Sequence, residues 1–222
     1  MPDYNQLDYS RWTFLQQLFR GFVTVVMRLL ARVEVEGMER IPREGAFILA
    51  PNHLHVLDVP VLLMFVHRRT VPFAADKWVG HFFGWILTTF GNAIFVARGT
   101  PDRRALSKAL TVLKAGGVLA LAPEGTRSLS GGLGEGHTGL AYLATRAPAP
   151  ILPVVAYGQE KCFDYWRRLR RVPIRVRFGQ IIELPPGRWP VDELEKQTEQ
   201  IMFSLAEILP MEYRGIYAKK KA

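Results

Sequence analysis

Ala46-Phe47-Ile48-Leu49-Ala50-Pro51-Asn52-His53-Leu54-His55-Val56-Leu57-Asp58 is the stretch from which the rest of the chain can be placed. Its apolar half, residues 46–50, reads as a buried strand. Pro51 has no N–H to give to a ladder and ends it. His53 therefore emerges at the carboxyl end of a strand, where open α/β sheets place their chemistry. Asp58 follows five residues later. In one continuous helix, five steps of about 100° would leave the two side chains roughly 140° apart. They meet only if the chain turns between them and Asp58 stands near the start of the next helix. A histidine bonded to a carboxylate has a fixed tautomer and is a stronger base, as in a catalytic triad that lacks its nucleophile. Such a pair suits removal of a proton from a substrate hydroxyl. The plainer reading is a helix cap beside a satisfied polar residue. This segment alone does not separate the two.

Outward from it, the elements alternate. Residues 10–32 read as a first helix capped by Ser10. At 3.6 residues per turn, Gln16, Gln17, Arg20, Thr24 and Arg28 share one side, and Phe14, Leu15, Leu18, Phe22, Val25, Val26, Leu29 and Leu30 fill much of the rest. A wide apolar arc beside a purely cationic strip fits a helix lying among anionic headgroups. A helix packed on the core fits as well, and its two flanks can serve both neighbours. Arg20 and Arg28 interrupt the apolar run short of the roughly 20 residues a spanning helix needs. Acidic residues precede it and Ala-x-Ala cleavage logic is absent, so it does not read as a signal peptide.

Residues 33–36 alternate as a short edge strand. Residues 59–67 read as a helix with Pro60 in its first turn, and 71–75 as a strand. Residues 78–90 are apolar nearly all round, so that helix is either deeply buried or faces lipid. A strand at 93–97 ends at Arg98. Pro101 opens a helix that Gly116-Gly117 closes. Strands at 118–122, 151–157 and 174–178 follow. The last of these alternates Ile174, Val176 and Phe178 with Arg175 and Arg177, which suggests a sheet edge. Residues 123–136 are a glycine-rich loop, 138–146 a helix, and 191–209 an amphipathic helix. This order predicts an α/β fold: a single-domain, open, largely mixed sheet flanked by helices, with an N-terminal amphipathic helix. The expected division is a membrane-associating segment over 1–32 and the α/β domain over 33–222.

Composition narrows the partners. The chain has 222 residues, 49% hydrophobic and 22% charged, enough for one large globular domain. The single cysteine, Cys162, excludes an intrachain disulfide framework and a cysteine-only metal site. A net charge of +9 favours an anionic partner. Arginines cluster at Arg103-Arg104 and at Arg167-Arg168 and Arg170-Arg171. There is no zinc-finger spacing and no aromatic RNA-binding motif, so nucleic acid is not the expected partner.

Two further polar clusters sit at strand ends. One is Arg98. The other is Glu124-Gly125-Thr126-Arg127-Ser128. Arg98 and Arg127 can each present a planar fork to phosphate oxygens. Gly125 lets backbone N–H groups approach an anion, and Thr126 and Ser128 add hydroxyls. No protein nucleophile is evident, since Ser128 and Ser130 lack a Gly-x-Ser-x-Gly elbow. A base, an oriented alcohol and support for an oxyanion are what direct acyl transfer needs. Backbone near Gly125 is the candidate oxyanion donor.

With these blocks in place, the chain resembles the glycerophospholipid acyltransferase family, and within it the bacterial 1-acyl-glycerol-3-phosphate acyltransferases. The resemblance rests on Asn52-His53 to Asp58, on Gly91 through Ile94-Phe95 to Arg98, on Pro123-Glu124-Gly125-Thr126-Arg127-Ser128, and on Ile151-Leu152-Pro153-Val154, in order over about residues 37–180. It implies that His53 is the general base and Asp58 its orienting carboxylate. It also implies that Arg98 and Arg127 bind the acceptor's phosphate, with Lys77 as a further phosphate contact and Glu124 and Gly125 in the acceptor site. The implied reaction moves an acyl group from acyl-CoA or acyl-carrier protein to a lysophospholipid hydroxyl, at the cytoplasmic side of the cell membrane, with no cofactor. Another lipid alcohol or glycerol-3-phosphate remains open as acceptor. The sequence departs from the family at Ala122, where phenylalanine is usual, and at His137-Thr138-Gly139, where the family carries Lys-x-Gly. His137 is mostly neutral near pH 7, which weakens the charge facing a phosphate. Two rivals stand beside this reading: a metal-dependent hydrolase built on His53, His55 and Asp58, and a basic lipid-binding module without catalysis.

Overall fold

The computed structural model describes residues 2–97 and 102–218. Among these residues the chain forms one seven-stranded sheet in the order β1-β7-β6-β2-β5-β3-β4. The strands are β1 (Ala31–Glu36), β2 (Phe47–Pro51), β3 (Thr70–Ala75), β4 (Ile94–Val96), β5 (Val118–Ala120), β6 (Ile151–Tyr157) and β7 (Val172–Phe178). The helices are α1 (Phe14–Leu30), α2 (Asp58–Phe65), α3 (Phe82–Gly91), α4 (Arg103–Lys114), α5 (Gly139–Arg146), α6 (Cys162–Trp166) and α7 (Val191–Ile208).

The stretch quoted first lies at the centre. β2 is parallel to both of its neighbours, β5 and β6. Phe47, Ile48, Leu49 and Ala50 are all buried, as expected of a strand covered on both faces. β3 and β4 continue the parallel run. β7 is antiparallel to β6 and parallel to β1, so β1 and β7 oppose the other five. The carboxyl ends of β2, β3, β4, β5 and β6 therefore share one edge of the sheet. Met27 of α1, Val61 and Leu62 of α2 and Cys162 of α6 pack with Phe47 and Leu49 on one face. Ala109 of α4, Leu143 of α5 and Ile201 of α7 pack with Ile48 and Ala50 on the other.

Several boundaries differ from those read in the sequence, each for a local reason. The first helix starts at Phe14 rather than Ser10. Thr13 is its cap: Gln16 N–H donates to Thr13 Oγ1, and Thr13 N–H donates to Gln16 Oε1, a reciprocal capping box. The predicted helix over 78–90 breaks in two. A 3-10 turn at Asp76–Trp78 precedes Gly80, whose φ of 83° ends any continuous helix, and α3 begins at Phe82. β7 is an interior strand rather than an edge. Its alternation reports one solvated face, since Ile174, Val176 and Phe178 are buried, while the edge on that side is β1. The start of α4 is capped by Asp102, which accepts from Arg104 and Ala105 N–H; Pro101 lies outside the described residues. The short helix α6 was not foreseen.

The largest difference concerns α1. Gln16, Arg20 and Thr24 of its polar strip face inward, Gln17 and Arg28 stay exposed, and much of its apolar arc faces out. Gln16 is buried and donates to Phe90 O and Asn92 Oδ1. Arg20 donates to Leu63 O at 2.9 Å and Met64 O at 3.1 Å, and lies 2.9 Å from His67 Nδ1. These are the last carbonyls of α3 and α2, which a helix cannot satisfy by itself. Phe14, Leu15, Leu18, Phe22, Val25 and Leu29 are exposed. Arg20 is thus committed to the fold and is not a headgroup contact.

Candidate active site

β2 delivers the chain to the shared edge, and the segment after Pro51 turns back on itself into α2. Asp58 is the first residue of that helix, where a carboxylate is favoured by the helix dipole. Its Oδ2 lies 2.7 Å from His53 Nδ1 and also accepts from Leu54 N–H at 2.9 Å and His55 N–H at 3.0 Å. An oxygen that already accepts from two N–H groups acts as an acceptor toward the ring as well. Nδ1 therefore carries the proton, and Nε2 keeps its lone pair for a substrate. The His53 side chain is one-quarter exposed and that of Asp58 is buried. His55 points elsewhere: its Nδ1 accepts from Leu57 N–H and its ring lies edge-on to Phe163. Among the described residues, no three His, Cys, Asp or Glu side chains converge as a metal site.

The loop after β5 closes over this turn. Glu124 is buried; its Oε1 accepts from His53 N–H at 3.1 Å and its Oε2 from Gly134 N–H at 2.9 Å. Ser128 N–H donates to His53 O at 2.8 Å. The backbone of His53 is thus held from both sides by residues 71 and 75 positions away in the chain. Burial pushes the Glu124 carboxyl above its usual range, against the pull of the two backbone N–H groups and of the His53 ring. His137 N–H donates to Pro123 O, and its ring lies beside Gly125. The Gly125 N–H donates to Ala122 O within the turn, so that one N–H, among the backbone groups near Gly125, is not free to face an oxyanion. Thr126 and Arg127 are exposed on the same turn.

The remaining cationic candidates follow neighbouring parallel strands. Lys77 is exposed just after β3, its ammonium 5.4 Å from the centre of the Trp78 ring. Arg98 follows β4 but lies outside the described residues.

Beneath His53 is a cavity of about 360 Å³. Its walls come from α1, α2, α3 and the sheet, with Phe19, Val23, Leu63, Phe83, Ile86 and Leu87 among them, and its lining is mostly apolar. Asn52, His53, Asp58 and Gly125 lie in the same lining. One polar pair thus opens onto a space suited to a hydrocarbon chain.

One partner of the pair was missed in the sequence. Gln159, fully buried after β6, donates from Nε2 to Asp58 Oδ1 at 2.7 Å. The available signal was its position: Gly158-Gln159 follows a parallel strand, as the other polar blocks do.

Comparisons with known proteins bear on the family and the fold. The acyltransferase family profile matches residues 32–157. A 1-acyl-sn-glycerol-3-phosphate acyltransferase of Pseudomonas aeruginosa is 27% identical over 216 residues, covering 92% of this chain and 82% of that protein. The human 1-acyl-sn-glycerol-3-phosphate acyltransferase alpha is 28% identical over 167 residues, and the chain spans only 54% of its length. The crystal structure of the 1-acyl-sn-glycerophosphate acyltransferase of Thermotoga maritima superposes with a TM-score of 0.67 at 26% identity, covering 84% of this chain and 76% of that one. With the matched segment spanning more than half of its residues, the chain belongs to the acyltransferase family and is an O-acyltransferase.

Proposed function

We propose that the protein acylates the free hydroxyl of 1-acyl-sn-glycerol-3-phosphate, giving phosphatidic acid, with acyl-CoA or acyl-carrier protein as donor. The observation that carries the reading is the His53–Asp58 pair at the mouth of an apolar cavity. His53 Nε2 takes the hydroxyl proton as the oxygen attacks the thioester carbonyl. The carbon–sulfur bond then breaks, and the departing thiolate takes that proton back from the ring. Asp58 keeps the ring in the one tautomer that can do this. The cavity beneath accepts an acyl chain. Arg127, Lys77 and Arg98, each following a parallel strand, are assigned to the acceptor's phosphate with Thr126, Gly125, Glu124 and His137. The acceptor's identity is supported by the names of the relatives.

The substrates are amphiphiles, and the surface suits a lipid bilayer. Phe14, Phe22 and Leu29 on α1 are 77%, 65% and 70% exposed, and Phe82 on α3 is 76% exposed. The two helices touch through stacked Phe19 and Phe90 rings, 3.9 Å apart. We assign this surface to peripheral contact with an anionic membrane on its cytoplasmic side. Among the described residues, no helix is long and apolar enough to cross a membrane.

The test is a panel of acceptors presented with acyl-CoA and with acyl-carrier protein. Phosphate-bearing lysolipids are expected to be used faster than the same lysolipids without phosphate, and His53→Ala is expected to remove nearly all turnover while leaving the circular-dichroism spectrum unchanged. Equal rates on phosphate-free acceptors would remove the roles given to Arg98 and Arg127. Full turnover by His53→Ala would remove the mechanism.

A further inference from the structure

Gln159 lies beyond Tyr157, where the matched family segment ends, yet it reaches the centre of the site. Gly158 makes this possible. Its φ is 99°, and a Cβ there would stand 2.3 Å from Pro173 O, so the tight exit from β6 is open only to glycine. The turn swings Gln159 under α2, where it is completely buried.

The amide has only one workable orientation. Its Nε2 lies 2.7 Å from Asp58 Oδ1 and 3.0 Å from Ala156 O, both acceptors. Turned over, the amide would set an oxygen against two oxygens. Ala156 is itself fixed by Asn52, whose Nδ2 donates to Ala156 O while its Oδ1 accepts from Ala156 N–H. A chain of bonds thus runs from the sheet through Asn52, Ala156 and Gln159 to Asp58 and then to the His53 ring. Asp58 Oδ2 is held by three N–H groups from the His53 loop, but those groups fix one oxygen only. The opposite oxygen is held by Gln159. Two anchored oxygens stop the carboxylate from turning about its Cβ–Cγ bond, a torsion that is otherwise broad. The cost is visible: Gln159 Oε1 is buried without a hydrogen-bond partner. The site accepts one unpartnered amide oxygen and in return pairs a carboxylate oxygen.

We propose that Gln159 is a positioning residue for acyl transfer, acting through Asp58 to hold the His53 ring at the angle its proton transfer requires. This rests on His53 being the base. A carboxylate free to turn lets the ring drift, and displacement of a reacting group by about 1 Å costs on the order of 10²-fold in rate. The effect falls on kcat, since Gln159 is buried behind Asp58 and away from the substrates.

The experiment compares Gln159→Met, which keeps length and removes the donor, with Gln159→Leu, which keeps an apolar bulk there and removes the whole amide. His53→Ala is run beside them, with palmitoyl-CoA and 1-oleoyl-lysophosphatidate in mixed micelles. Both Gln159 variants are expected to lose 10-fold or more in kcat per folded molecule, with KM for each substrate changed less than threefold. The low-field proton NMR signal of His53 Nδ1–H, identified by its loss in His53→Ala, is expected to shift or broaden in both. Unchanged kcat in either folded variant, or an unshifted signal in both, overturns the role of Gln159. If instead His53→Ala retains turnover, the base assignment itself is what fails.

Discussion

At the scale of single residues, the site depends on carboxylates whose oxygens are all used. Glu124 is the sharpest case, because burial and hydrogen bonding pull it in opposite directions and burial wins. A carboxyl whose pKa is raised in the folded protein takes up a proton on folding, between its ordinary range and the raised value. Its contribution to stability is therefore fully present below the ordinary carboxylate range and lost as pH rises through the raised pKa. The carboxylates with lowered values, such as Asp102, slope the other way, so the measurement must be a difference. Urea-unfolding free energies of the wild type minus those of Glu124→Gln are expected to shift toward the wild type as pH falls through the weakly acidic range. A flat difference would mean that Glu124 is not pushed upward. The same variant turns an NH₂ toward the N–H of either His53 or Gly134, and kcat is expected to fall by about 10²-fold as the His53 backbone shifts. The His53–Asp58 pairing was legible in the sequence because it is local: five residues, a proline and a helix start decide it. The grip of Glu124 and Ser128 on the His53 backbone was not, because it joins segments about seventy residues apart and uses backbone atoms that no side-chain pattern displays.

At the scale of elements, α1 shows what periodicity can and cannot reveal. The stripe of Gln16, Arg20 and Thr24 is real, but a hydrophobic pattern gives two faces without saying which one meets the protein. Here the neighbours decide. α2 and α3 both end beneath α1, and their unsatisfied carbonyls need donors. Gln16 and Arg20 supply them, and Arg20 adds a positive charge at the negative end of α2. Charge-assisted hydrogen bonds are worth about 1.5–3 kcal/mol each. Arg20→Ala is therefore expected to lower unfolding free energy by about 2 kcal/mol, whereas Arg28→Ala, at an exposed position on the same strip, should change it by less than about 0.5 kcal/mol. Chemical denaturation of the two variants checks this. Equal, small losses would return the strip to the solvent. The strands were more legible than this helix, since parallel strands buried on both faces give continuous apolar runs such as Phe47-Ile48-Leu49-Ala50. The position of β7 within the sheet was misread because alternation reports a wet face and not a missing neighbour.

At the scale of the whole molecule, the inward turn of Gln16, Arg20 and Thr24 leaves α1 and α3 presenting aromatic and aliphatic side chains beside the cavity that opens below His53. A water-soluble surface has little use for Phe14, Leu18, Phe22, Leu29, Phe82 and Trp85 together. An enzyme with the proposed acceptor and product, both bilayer lipids, does. The two possible sources of membrane affinity, apolar insertion and charge, separate cleanly by mutation. Burying a large apolar side chain is worth about 1.5–3 kcal/mol when complete, so even partial insertion of Leu18, Phe22 and Phe82 gives roughly 1 kcal/mol each. Leu18→Ser/Phe22→Ser/Phe82→Ser together should weaken partition to phosphatidylcholine–phosphatidylglycerol vesicles by about two orders of magnitude, since each 1.4 kcal/mol is tenfold. This loss should persist in high salt. Because these side chains are exposed, their replacement should leave the unfolding midpoint nearly unchanged. Arg28→Glu should weaken binding to anionic vesicles only, by about tenfold, and the difference should vanish at high ionic strength, where the Debye length falls to about 3 Å. Arg20→Glu would not report on lipid at all, because it removes the cap of α2. Vesicle flotation of the triple variant decides the matter. Undiminished flotation would place the lipid-facing surface elsewhere on the molecule, while loss confined to low salt would make charge, not insertion, the source of affinity.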